Sequence, residues 1–526
     1  MHRPMRAAFC GLLIALISSA ALAPTAGALD QVNTKRLRDA VTVNGILGHE
    51  RVFQFIANAS GGTRVSGSPG FDASADYVKR QLVQAGYTVS EQSFEFPFFQ
   101  EIVPAAFARV SPSPRTFTAD EFATMSYSGS GDVSAALQTI DVVVPIAANP
   151  PNASSSGCEA SDFAGFAAGN VALLQRGTCS FRQKADNAAA AGASAVIIFN
   201  EGQPQSPTQP EDRTVLVLGS LGTPGVTIPV IGTSYAIGEE LVNQTRAGAV
   251  TVRVSTSTIS EIRTTRNVIA DYARGGGDTS QTIVIGSHLD SVPAGPGIND
   301  NGSGSATGLE TAIQIAKLDL KPRRALRFAF WGAEEEGLLG AQHYVENLGD
   351  ALGDIYANLN FDMLGSPNYV RFVYDGDNSA FPPVGTVRAG PPGSGQIEAL
   401  FSTYFAGLGL ATDPTPFDGR SDYGPFIAVG IPAGGLFSGA ERTKTAAQAA
   451  TYGGVAGQPY DACYHKPCDT ITNLNTTALA EMSDGVAHAA WTLAKSRSGL
   501  FGDQSARARN ATATNTRTFA GPLAVR

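Results

Sequence analysis

Apolar positions fall along this chain in two rhythms that take turns from segment to segment. Thr282-Ile283-Val284-Ile285, Leu326-Arg327-Phe328-Ala329-Phe330-Trp331 and Ile355-Tyr356-Ala357-Asn358-Leu359-Asn360-Phe361 are short runs of the kind that become strands buried on both faces of a parallel sheet. Residues 72–85 instead place Ala75, Tyr77, Val78, Leu82 and Val83 at helical spacing, which predicts an amphipathic helix. Between about 33 and 100 the pattern gives two helices, a loop at Arg64-Val65-Ser66-Gly67-Ser68-Pro69-Gly70, and a strand over 88–96 that Pro97 should end. From about 101 to 257 the texture turns β-rich, with strand signals over 139–144 and 226–231 and one β-α-β unit over 170–175, 181–191 and 195–199. The α/β alternation resumes at 266–270 and runs to about 496. The expected fold class is therefore α/β, a mixed central sheet with helices on both faces, formed by 30–100 and 258–496 and interrupted by a β-rich insert over 101–257. Residues 497–526 lack an apolar period and read as a loose or removable tail, with an arm covering whatever functional site the larger domain carries as the weaker alternative.

Composition narrows the function classes. The 526 residues are 43% hydrophobic and 16% charged, enough apolar content for large cores in more than one domain. A net charge of −9, with no clustered basic face, argues against nucleic acid as a partner. His2, Arg3 and Arg6 precede a mostly apolar stretch over 7–23 and then Ala26-Gly27-Ala28, so residues 1–28 read as a signal peptide and the protein as secreted, extracellular or periplasmic. A membrane anchor is disfavoured, because the stretch is short and holds Ser18 and Ser19. Once Cys10 leaves with the signal, Cys158, Cys179, Cys463 and Cys468 remain. Three pairings are open; proximity favours Cys158 with Cys179 and Cys463 with Cys468, and the spacings do not resemble a four-cysteine zinc knot.

Candidate chemistry clusters just past the strand-like runs. Open α/β sheets bind ligands beyond their strand carboxyl ends, so residues far apart in sequence can meet there. His288-Leu289-Asp290 puts two side chains on one side of an extended segment, the His free to bind metal while the Asp holds its other ring nitrogen. Gly297-Ile298-Asn299-Asp300 brings a carboxylate to the mouth of a helix starting near Ser303, and Asp300 is the candidate to bridge two ions. In Trp331-Gly332-Ala333-Glu334-Glu335 one carboxylate can take a proton while its neighbour holds a metal. Asp362 follows the third run, and His465 sits in Tyr460-Asp461-Ala462-Cys463-Tyr464-His465-Lys466-Pro467-Cys468. Each taken alone has a bland reading as a packed histidine or a solvated acidic turn; their order along the chain favours a metal site.

Taken together, His288-Leu289-Asp290-Ser291, Gly297-Ile298-Asn299-Asp300, Trp331-Gly332-Ala333-Glu334-Glu335, Asn360-Phe361-Asp362-Met363 and Cys463-Tyr464-His465 resemble the ordered motifs of the secreted co-catalytic zinc aminopeptidases. The resemblance spans about 266–496, and residues 169–200 resemble the protease-associated domain that interrupts aminopeptidase Y-like relatives. It implies a zinc exopeptidase fold, two Zn2+ per chain, and His288, Asp300, Glu335, Asp362 and His465 as ligands with Asp300 shared. It further implies Glu334 as general base, Tyr464 as stabiliser of the tetrahedral oxyanion and Arg420 as a substrate carbonyl contact. Asp290 and Ser421 become supporting residues, Ser421 behind His465, and the Asp300-Asn301 peptide becomes a candidate for cis. The implied activity is removal of N-terminal residues, leucine-type by resemblance, from peptides or proteins by a monomer, with cobalt or manganese as substitutes for zinc.

Rival readings are a carboxypeptidase or dipeptidase of the same clan, for which no basic cluster is evident, and a non-catalytic binding protein on a peptidase scaffold. A serine hydrolase finds only Gly419-Arg420-Ser421-Asp422-Tyr423, which lacks the second glycine of a nucleophile elbow. His49-Glu50-Arg51-Val52-Phe53 begins like a zinc helix motif but ends in Phe.

Overall fold

The computed structural model describes residues 29–146, 153–206, 211–272, 274 and 276–501; the signal reading over 1–28 and the tail from 502 onward lie outside the described residues. Asp278–His288 lies between Arg324–Trp331 and Ile355–Phe361, parallel to both, with Ala433–Phe437 parallel beyond the last. Trp331 stands opposite His288, and Asn360 opposite Gly286, so these strands end at one edge. Their side chains divide as period two requires. Ile283, Ile285, Phe328, Phe330, Leu359 and Phe361 enter the main core with residues of the helices Val43–Ala59, Pro69–Ala85, Ser303–Lys317, Ser394–Gly407 and Thr476–Lys495. Val284, Ala329 and Trp331 face the other way, with residues of Leu339–Glu346 and Tyr423–Ala428. Antiparallel pairs at Phe372–Tyr374 with Ala433–Phe437 and at Arg324–Trp331 with Thr251–Asp271 make the sheet mixed. Fold class and sequence expectation agree: a mixed sheet with helices on both faces.

Local signals set most boundaries. The helix expected over 72–85 begins at Pro69, because the Ser68 side chain accepts from Phe71 N–H and proline's fixed φ suits the first turn. Pro97 does not end its strand, which runs Thr88–Ser111 with Pro97 opposite Ile262. This strand pairs with Thr251–Asp271 along its length and with Arg115–Thr116 only at Ala108 and Arg109, and a missing N–H is tolerated where one side is unpaired. The strand signal over 139–144 was misplaced. Gly131–Thr139 ends there, Asp141 takes a φ of 42°, and the Val143 N–H is taken up by Gln175 Oε1. Likewise Val226 is a buried loop residue, and the strand is Val230–Thr233.

The long strands Thr88–Ser111 and Thr251–Asp271 form an antiparallel ribbon along which the chain leaves the larger half and returns, Thr88 opposite Asp271 and Ser111 opposite Thr251. Beyond it the same sheet continues as Gly131–Thr139, Val171–Gln175, Ala195–Phe199, Val230–Thr233 and Phe122–Thr124, giving 14 strands among the described residues. Two further cores cover the faces of that part, with Phe181–Ala190 on one side and Tyr235–Ala247 on the other. Cys158 is bonded to Cys179 and Cys463 to Cys468. Among the described residues no helix is long and apolar enough to cross a membrane.

Candidate metal centre

Six predicted positions converge at the carboxyl edge of the central strands. His288 Nε2 lies 3.2 Å from Asp300 Oδ1 and 3.4 Å from Asp362 Oδ1, with Glu334 Oε2 at 3.9 Å. His465 Nε2 lies 3.1 Å from Asp300 Oδ2 and 3.1 Å from Glu335 Oε2. Asp300 therefore offers one oxygen to each histidine. His288, Asp300, Glu334 and Asp362 are each less than a tenth exposed.

Several segments hold these groups in place. His288 is the last residue of its strand, and Asp362 follows the last residue of another. Asp300 lies in the turn Ile298–Gly302 that feeds Ser303–Lys317, and its peptide to Asn301 is cis. Gly304 is required beside it, since a Cβ there would stand 2.3 Å from Phe361 O. Ala333, Met363 and His465 all have positive φ, a conformation costing roughly 1–3 kcal/mol for such residues and kept only where neighbours enforce it. Ser66 Oγ accepts from Ala333 N–H at 2.6 Å and Asn301 Oδ1 from Met363 N–H at 3.1 Å. Buried Arg64 donates to the carbonyls of Leu289, Pro296 and Gly297, tying the loop over 64–70 to the site.

Asp290 stands 3.5 Å from His288 Nδ1, long for a hydrogen bond, and its two oxygens accept from the N–H groups of Glu334 and Glu335 at 3.4 Å each. It thus links the histidine strand to the Glu loop. Ser421 is placed differently from the sequence expectation. Its hydroxyl donates to Asp362 Oδ2 at 2.6 Å and accepts from Asn360 Nδ2 at 2.8 Å, so it braces Asp362 rather than His465, because the loop over 417–422 runs beside the end of Ile355–Phe361. Arg420 reaches Tyr464 Oη at 3.1 Å, and the Tyr464 ring stacks on His465 with centroids 3.8 Å apart.

Three acids escaped the sequence reading. Asp422 is fully buried, and among the described residues neither oxygen has a hydrogen-bond partner. Asp469 accepts from the N–H groups of Asn299 and Asp300 at 2.9 and 3.0 Å, and Asp461 accepts from Asn299 Nδ2 and Cys463 N–H. A signal existed, for Asp461 and Asp469 flank the Cys463–Cys468 loop. His49, His343 and His488, by contrast, contact Tyr77 and Glu310, Phe94, and Thr34 respectively, away from the cluster.

The electrostatics describe a strongly anionic pocket. Burial raises the carboxyls of Glu334 and Asp422 well above the usual range and that of Glu335 above it, and neighbouring acids add to the rise. Burial opposes protonation of His288, yet Glu334 and Asp362 outweigh it and hold that imidazole well above its ordinary value. For His465 burial is likewise outweighed, and Glu335 and Asp300 lift it to about 10. Burial also raises Asp469, to about 7. Buried like charges are costly unless cations compensate them. His288 Nε2, Asp362 Oδ1 and His465 Nε2 are also buried without a hydrogen-bond partner among the described residues. Imidazole and carboxylate donors arranged this way fit divalent zinc. Another acidic group, Asp375, Asp377 and Glu398, has oxygens already bonded to the N–H groups of Gly376, Ser379, Ala380 and Phe381.

The mixed sheet and this donor set define an α/β protein with a metal-type site at the carboxyl edge of its central strands. Residues 267–490 match Peptidase family M28, and residues 139–241 match the PA domain. An aminopeptidase of Pseudomonas aeruginosa is 45% identical over 434 residues, covering 82% of this chain and 77% of the relative. Leucine aminopeptidase 2 of Arthroderma otae is 37% identical over 483 residues, covering 91% and 88%. Among solved structures, an aminopeptidase from Aneurinibacillus sp. strain AM-1 aligns with TM-score 0.59 and 26% identity over 88% of this chain and 96% of the other. The fold is also that of a zinc aminopeptidase from Bacillus subtilis, TM-score 0.50, 23% identical, covering 88% and 95%. The chain belongs to Peptidase family M28, among its aminopeptidases that carry an inserted PA domain.

Proposed function

We propose that this protein is a secreted metallo-aminopeptidase that releases N-terminal, leucine-type residues from peptides using two zinc ions. The observation that carries the reading is Asp300, whose two oxygens lie 3.2 and 3.1 Å from the two histidines. His288, Asp300 and Asp362 would hold one ion, and Asp300, Glu335 and His465 the other. Bound there, the pair supplies Lewis acidity at the scissile carbonyl and lowers the pKa of water. Glu334 accepts a proton from the attacking water and returns it to the departing amine. Tyr464 donates its phenol hydrogen to the carbonyl oxygen as negative charge develops, the kind of help that preorganised donors give. The surplus of buried carboxylate attracts a free α-ammonium, which selects N-termini. Leucine preference is supported by the name of the Arthroderma relative, and secretion by the signal-like first residues and two disulfides.

We further assign 30–100 and 258–496 to the peptidase domain and 101–257 to the insert, the ribbon forming the junction. A carboxypeptidase would need a cation for the substrate's terminal carboxylate. Arg420, which contacts Tyr464, is already bonded through two nitrogens to Glu441. Glu334→Gln is the test: it should keep its zinc, while turnover of an aminoacyl anilide falls by about 10²- to 10⁴-fold. Near-normal turnover removes Glu334 from the base role. The N-acetylated anilide should not be hydrolysed, and equal rates on both substrates overturn the aminopeptidase reading.

A further inference from the structure

Arg420 is the hub of a polar trio at the edge of the metal centre. Its Nη1 donates to Glu441 Oε1 at 2.8 Å, its Nη2 to Glu441 Oε2 at 3.3 Å, and Nη2 also reaches Tyr464 Oη at 3.1 Å. A guanidinium has donors and no acceptor, so in the Arg420–Tyr464 bond the phenol oxygen must accept. Its hydrogen is then left for another acceptor. The direction of that hydrogen depends on where the guanidinium stands, and its planar fork is fixed by the two-point bond to Glu441.

The loop bearing Glu441 is tied to the site from both sides. Arg442, next in sequence, lies 3.8 Å from Asp418, which accepts from Arg420 N–H at 3.3 Å and from the Tyr423 hydroxyl at 3.0 Å. The two loops are thus linked by crossed ion pairs, Arg420 to Glu441 and Asp418 to Arg442. On the other side Ala440 O accepts from Asp461 N–H at 2.9 Å, at the start of the segment that carries Tyr464 and His465. Glu441 and Arg420 are 49% and 45% exposed, so the pair adds little to stability.

We propose that Glu441 is a positioning residue for peptide hydrolysis: its clamp on Arg420 fixes the guanidinium that holds the Tyr464 oxygen, and so aims the phenol hydrogen at the substrate carbonyl. This rests on the reading of Tyr464 as the oxyanion donor. Loss of such a donor costs about 10²- to 10³-fold in kcat, and misaiming it should cost less, about tenfold.

The test uses the full-length zinc-loaded enzyme and an aminoacyl anilide. Glu441→Gln should lower kcat about tenfold with KM within about twofold, the pattern of an interaction made in the transition state, with zinc content and Tm unchanged. Its crystal structure should show Arg420 moved out of hydrogen-bond reach of Tyr464. In a Tyr464→Phe background, the same substitution should change kcat by less than about twofold, because there is no longer a phenol to aim. An unchanged kcat in Glu441→Gln, an increase in KM alone, or an equal loss in the Tyr464→Phe background each overturns the proposal. If Tyr464→Phe retains full kcat, the oxyanion reading itself falls, and that is read from this variant alone.

Discussion

Ser421 shows how a residue outside the donor set can control it. Its hydroxyl spans Asp362 Oδ2 and the Asn360 amide, so it fixes the orientation from which Asp362 presents its other oxygen to His288. Ser421→Ala should weaken zinc binding by about 10- to 100-fold, measured by competition with a chromogenic chelator, while the fold is unchanged. Most of the metal-site residues legible in the sequence stand just past an apolar run, where local pattern announces a strand end, at the mouth of a helix in the case of Asp300, or inside the cysteine loop. Asp422 and Glu441 were not legible, because a single acid in a loop carries no periodic signal. What gives them meaning is approach to partners contributed by other segments, such as Arg420 for Glu441. Ser421 braces Asp362 and not His465, a partner the sequence does not disclose, since spacing along the chain says nothing about which loop lies beside which strand.

Among the helices, Thr476–Lys495 carries His488, whose Nδ1 meets Thr34 Oγ1 at 2.9 Å and whose ring stacks on Tyr404 at 4.2 Å. Burial, with Arg38 assisting, depresses this imidazole from 6.5 to about 4. The unfolded chain therefore takes up the proton first as pH falls, so stability is lost between about 6.5 and about 4 and changes no further below. The loss is at most about 3 kcal/mol. His488→Gln should remove this part of the acid slope, read as a smaller drop in urea midpoint from pH 7 to pH 4. Elements with an uninterrupted apolar run, such as Ala195–Phe199, matched expectation to the residue. Pro97 and the segment over 140–144 did not, because a strand's neighbours and not its composition decide whether a missing N–H or a β-branched run is accommodated. Cys158–Cys179 closes a separation of 21 residues, and replacing both with Ser should cost about 3 kcal/mol by the chain-entropy argument.

In the molecule as a whole, one strand serves both halves. Thr251–Asp271 pairs with Arg324–Trp331 near its end and with Gly131–Thr139 near its start. Destabilising the insert through Cys158 and Cys179 should therefore lower a single calorimetric transition, and an early separate transition would refute this coupling. Removing divalent ions with a chelator should abolish hydrolysis, and added zinc should restore it; chelator-resistant turnover would return the serine hydrolase to consideration. The ribbon has a consequence for the order of events during synthesis. Thr88–Ser111 emerges from the ribosome long before its mate at Thr251–Asp271, and the donors follow later still, with His465 last. A nascent chain thus lacks a complete donor set until residue 465 has been made, a delay built from connectivity alone.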